Sequence, residues 1–163
     1  IGAFPVGHIL NIQQVTSTAT SSTTNGSFLV PVSLAITMTN IQSTTSKFMC
    51  VAHINTSSPA GANAGGGFAL ANGGTVIAGA TGDAASNRTR ITSQAALGAS
   101  SDTWRMFTRG FSYIDSPASV SDQTYEIRWR TQGSTTYLNQ AADDGDNADR
   151  VRGMSSLIVM EIA

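Results

Sequence analysis

Apolar side chains recur at every second residue in short runs along this chain, and nowhere do they hold a helical spacing over a useful length. Tyr125 to Arg130 shows this most clearly: Tyr125, Ile127 and Trp129 fall on one face, and Glu126, Arg128 and Arg130 on the other. Such alternation describes a strand with one side against a core and one side in water. From Phe48 to Ile54 the residues Phe48, Cys50, Ala52 and Ile54 share a face while Met49, Val51 and His53 share the other, so burial on both sides is expected. From Trp104 to Tyr113 one face mixes arginine with aromatics: Arg105, Phe107, Arg109, Phe111 and Tyr113. Further strands are expected over Ile9 to Thr18, Phe28 to Thr39, Phe68 to Ala71, Thr75 to Ala78, Thr135 to Asn139 and Ser155 to Ile162. Asn72, Gly73 and Gly74 tolerate positive φ and predict a tight hairpin, whereas Pro31, unable to donate to a ladder, marks an edge or a bulge. Short strands separated by turn residues point to an all-β antiparallel sandwich or barrel.

The length of 163 residues suits a single domain, 1–163, with a real core. Serine and threonine together number 40, while charged residues make up only 12% of the chain. The surface is therefore polar without being charged. With one lysine, eight arginines and ten acids there is no cationic excess to neutralise phosphates, which argues against a nucleic-acid partner. No apolar run approaches the roughly 20 residues of a membrane-spanning helix, so membrane insertion is not expected. No secretory signal opens the chain, and a start at Ile1 suggests a processed product or an excised fragment. Cys50 is the only cysteine; inside an apolar run it reads as an inert buried thiol.

Little in the chain resembles catalytic machinery. A serine or cysteine nucleophile needs a histidine base, and the two histidines, His8 and His53, sit in no nucleophile motif. His53 reads as a satisfied structural residue on a strand, His8 as exposed. Gly65, Gly66 and Gly67 lead to Phe68 and Ala69 rather than to Lys and Ser or Thr, so this run is a flexible loop and not a phosphate cradle. The acidic stretch from Asp143 to Asp149 offers a possible calcium site through Asp143, Asp144 and Asp146, set against a solvated loop partly neutralised by Arg150 and Arg152. Asp143 and Asp146 make only a weak glycosidase pair. Asn-X-Ser/Thr triplets at Asn25, Asn55 and Asn87 are expected by chance in so hydroxyl-rich a chain.

Taken in order, several phrases resemble the C-terminal head domains of phage tail fibres and related virion spikes. They are Gly7 to Gln13, Thr45 to Val51, Phe111 with Asp115 to Ala118 and Thr124–Tyr125, and Asn139 followed by an acidic loop and the closing strand Ser155 to Ile162. The chain departs from the pattern at Ala71 to Gly73 and in its longer glycine-rich segment, Ala60 to Gly67. The resemblance implies a jelly-roll sandwich that forms a homotrimer in an extracellular virion, contacts other virion proteins and attaches to a host surface glycan or outer-membrane receptor. It implies no enzymatic activity and no required cofactor. The alternative is a capsid decoration, knob or cement protein without a receptor. Arginine and aromatic residues are enriched at interface cores, so Arg105, Phe107, Arg109, Phe111 and Tyr113 are the candidate trimer contact, with monomer core as the competing reading of Phe107 and Phe111.

Overall fold

A computed structural model of the chain describes residues 7–28, 33–59, 65–95 and 103–163. The strands are β1 (Ile9–Ser17), β2 (Ser21–Thr23), β3 (Ala35–Met38), β4 (Lys47–Ser57), β5 (Gly65–Asn72), β6 (Thr75–Val76), β7 (Ser93–Gln94), β8 (Phe107–Asp115), β9 (Gln123–Gln132), β10 (Thr136–Leu138) and β11 (Ser155–Ile162). Among the described residues the only helical element is a 3₁₀ turn over Ala78–Ala80. No helix is long and apolar enough to cross a membrane among these residues.

The protein is all-β, with two antiparallel sheets, an arrangement compatible with a β-sandwich. In the first, β1, β11 and β4 lie side by side, β8 closes the other flank of β4, and β10 with β2 continues the layer beyond the end of β11. In the second the order is β3-β9-β5-β6, with β7 also paired to β5. Phe48, Cys50, Ala52 and Ile54 of β4 and Leu157 and Val159 of β11 meet Phe68, Leu70, Tyr125, Ile127 and Trp129 of the second sheet in one apolar cluster. The rings of Phe48 and Tyr125 lie 5.5 Å apart across that core. Each large apolar side chain removed from water there stabilises the fold by about 1.5–3 kcal/mol.

The alternation in β9 is as the sequence predicts, with Tyr125, Ile127 and Trp129 inward. The hairpin is also as expected: Asn72 pairs with Thr75, and the two central glycines have φ of +56° and +85°, the geometry of a type I′ turn. Other elements differ. β4 is buried on one face only; Met49 and Val51 are half-exposed and His53 is exposed, so His53 is not a buried structural residue. The aromatic-arginine strand begins at Phe107 rather than Trp104, leaving Arg105 ahead of it. Among the described residues of the stretch Phe28 to Thr39 only Ala35–Met38 is strand, and Pro31 lies outside the described residues.

The glycine run is not a loop. Gly65, Gly66 and Gly67 open β5 and pair with Gln132, Thr131 and Arg130. Glycine is required there by close approach. A Cβ on Gly66 would stand 2.7 Å from the Arg130 carbonyl oxygen, and one on Gly67 would stand 2.5 Å from the Ile91 side chain.

Candidate functional site

The two sheets present contrasting outer faces. On the first, the register aligns Ile12 of β1, Met160 of β11, Met49 of β4 and Ile114 of β8 in one row across four strands. Ile158 and Val51 lie beside each other in the next row, between Gln14 and Ser112. Ile12 is 59% exposed and Ile114 51%, and the Met and Val side chains between them are half-exposed. With strands about 4.8 Å apart and rows about 7 Å apart, these six apolar side chains cover an area on the order of 200 Å². This face carries no charge apart from Lys47 at one end.

On the second sheet, Gly65, Gly67, Ala69 and Ala71 of β5 lie opposite Gln132, Arg130, Arg128 and Glu126 of β9. Long polar side chains thus stand beside positions that have almost none. Arg128 Nε donates to Glu126 Oε1 at 2.7 Å, which neutralises that pair. Arg130 has no such partner: its Nη1 reaches Thr89 Oγ1, its guanidinium lies 6.0 Å from the Phe28 ring centroid, and its buried Nε has no hydrogen-bond partner. The chain from Asn87 to Gln94 runs along this edge and encloses an open cleft of about 590 Å³. Gly66, Gly67 and the Ile91 side chain that packs over Gly67 line it, Arg88 and Arg130 supply charge, and Gln94, Gln132, Asn87 and Thr89 supply neutral donors and acceptors.

The sites expected from sequence are placed as follows. On β8, Phe107, Arg109, Phe111 and Tyr113 are half-buried on the side facing the core; Phe111 and Tyr113 pack against it. Arg109 lies 5.6 Å from the Phe107 ring, and Arg105 lies 4.6 Å from that of Trp104. Phe111 and Tyr113 thus pack, half-buried, against the core of the chain itself. In the acidic loop, Arg150 Nη2 meets Asp143 Oδ2 at 2.7 Å and Arg152 Nη2 meets Asp144 Oδ2 at 2.6 Å, while Asp146 is exposed. These three carboxylates do not converge, and among the described residues no group of three or more His, Cys, Asp or Glu could hold a metal ion.

Two buried sites are structural. Cys50 lies in the core, where burial first and the Asp115 charge second push its thiol up to about 12. Tyr125 Oη donates to Asp115 Oδ2 at 2.9 Å; burial, that bond and the carboxylate charge all hold the phenol well above its ordinary range. Both groups stay protonated, so neither supplies a nucleophile near neutrality.

Of the cleft residues, the outward position of Arg130 was legible from the alternation of β9. Nothing local marks Arg88 or Gln94, which reach the cleft because β7 pairs with β5 at Gly67 and Phe68. No protein-family model and no curated protein matches the chain.

Proposed function

We propose that this chain is a non-enzymatic virion protein, the jelly-roll head of a tail fibre or spike, which assembles as a homotrimer and attaches the particle to the host cell surface. The observation that carries the reading is the uncharged apolar row Ile12, Met160, Met49 and Ile114 on the outside of the first sheet. Apolar side chains are costly to leave in water and, lacking charge, this row meets copies of itself without repulsion. Its occupant in this reading is another copy of the chain, so the trimer contact lies here and not on the core side of β8. The hydroxyl-rich surface, neutral overall, and the ordered phrases that resemble virion heads support an extracellular setting. Loops and clefts on such a rigid frame are suited to recognition, and repeated weak sites gain strength by avidity.

Sedimentation equilibrium of the purified chain tests the reading. The expected mass is three times 16.9 kDa, and Ile12→Lys with Ile114→Lys lowers it to that of a monomer while leaving the circular dichroism of a β protein intact. A monomeric parent chain, or a double variant that stays trimeric, refutes the assembly. If the trimer forms but fails to bind host cells or to block adsorption, the attachment role is refuted.

A further inference from the structure

We infer that the cleft between β5, β9 and the segment leading into β7 binds a carboxylate-bearing saccharide. This deepens the attachment reading by naming its ligand class, but its physical basis is independent of assembly. Among the described residues the cleft is lined by two arginines and by no acid, in a chain whose net charge is −1. Arg130 is half-buried with an unpartnered Nε, and its neighbour two residues earlier, Arg128, already has Glu126. Of the two, Arg130 is the one whose charge no protein carboxylate compensates within the cleft. A guanidinium half-removed from water and lacking a counter-ion is poised for an anion, and its planar fork fits a carboxylate.

The rest of the cleft selects the body of the ligand. Gln94, Gln132, Asn87 and Thr89 each donate and accept, as ring hydroxyls do. Ile91, whose side chain packs over Gly67, gives an apolar edge for the C–H face of a sugar ring. The volume of about 590 Å³ lies within the range of small-ligand sites. Two cations are too few to hold a polyanionic nucleic acid. A phosphate alone would leave the neutral amides unused.

The test is titration calorimetry or NMR shift mapping of the full chain with three probes: a galacturonic acid trisaccharide, its carboxyl-reduced neutral counterpart, and inorganic phosphate. The acidic trisaccharide is expected to bind and to shift Arg130, Gln132 and Gln94, with the neutral sugar and phosphate each at least tenfold weaker. Arg130→Gln is expected to weaken the acidic ligand about tenfold or more, the size of a lost charge-assisted contact. Arg88→Gln, at an exposed position, weakens it too and covers the case in which the Arg130 variant misfolds. Equal binding of acidic and neutral sugars, phosphate binding as strong as the sugar acid, or acid binding unmoved by both variants would each overturn the assignment. Mass and adsorption are read separately: acid binding by a monomeric chain upholds the cleft and removes the trimer, whereas an adsorbing trimer with an indifferent cleft does the reverse.

Discussion

Asn139 sits where β10 ends, fully buried and at φ of +56°. Its Nδ2 donates to the carbonyls of Ser17 (2.8 Å) and Ala19 (3.0 Å), and its Oδ1 accepts from Ser155 Oγ (2.7 Å). One side chain thereby joins the end of β1, the turn into β2 and the start of β11. Replacement by alanine takes the side-chain donor from the Ser17 carbonyl and the acceptor from the Ser155 hydroxyl proton, although Ser155 Oγ still accepts from the Asn55 N–H at 2.9 Å, while water can reach the Ala19 carbonyl. A buried carbonyl that loses its donor at about 1–3 kcal/mol, a hydroxyl proton that loses its acceptor at about 1 kcal/mol, and about 1 kcal/mol for a Cβ without a local hydrogen bond in the left-handed region give a loss of roughly 3–5 kcal/mol. That is a large part of the 5–15 kcal/mol typical of a folded domain. Urea unfolding followed by tryptophan fluorescence should show a lower midpoint at unchanged slope. Asn139→Gly, which keeps the backbone but not the bonds, should recover only the strain, about 1 kcal/mol. A loss under about 1 kcal/mol for the alanine variant, or full recovery by glycine, would refute the claim that the buried bonds, and not the turn, make this residue necessary.

Alkaline pH should destabilise the protein. The Cys50 thiol ionises near 9 when unfolded but stays protonated to about 12 when folded, so the unfolded chain binds fewer protons and stability falls as pH rises through that window. The loss is on the order of 1 kcal/mol per pH unit, Tyr125 adds a like term from about pH 10, and below pH 9 both contributions are fully present. Urea midpoints at pH 8, 10 and 11 check this, with Cys50→Ala expected to flatten the fall; a profile of unchanged steepness in the variant would contradict it. Calcium chelators should leave the melting temperature of the chain unchanged, because Asp143 and Asp144 already face Arg150 and Arg152. A chelator-induced drop, restored by calcium, would show that these arginines give way to an ion.

How far the fold was legible depended on whether the deciding contact was local. In β9 and on the inner face of β4, period-two burial was written in consecutive residues, and the hairpin was written in Asn72, Gly73 and Gly74. The glycine run at the start of β5 could not be read so. Its reason is the packing of Ile91 against Gly67 and of Thr136 against Gly66, contacts made by residues distant along the chain. β2 and β7 have no apolar alternation to announce them. Met49 and Val51 raise a different ambiguity, since an apolar residue on the second face of a strand looks the same whether a neighbouring layer or another subunit is to cover it. In the acidic loop the sequence offered both a calcium site and neutralisation by Arg150 and Arg152, and the ion pairs of Asp143 and Asp144 follow the second.

The two outer faces also constrain each other. The apolar rows and the arginine cleft lie on opposite sides of the two-sheet stack, one apolar with Lys47 alone at its end, the other crossed by Glu126, Arg128, Arg130 and Gln132. Stacking copies on the cleft side would bring the uncompensated Arg130 of one copy toward like charge on the next and strip water from it, which like-charge repulsion and desolvation both oppose. Packing on the other side removes only apolar surface. The charge pattern thus favours the arrangement in which copies meet through the first sheet and every cleft remains in solvent. Charging Ile12 and Ile114 is therefore expected to undo assembly without changing the affinity of a single cleft, and Arg130→Gln to do the opposite.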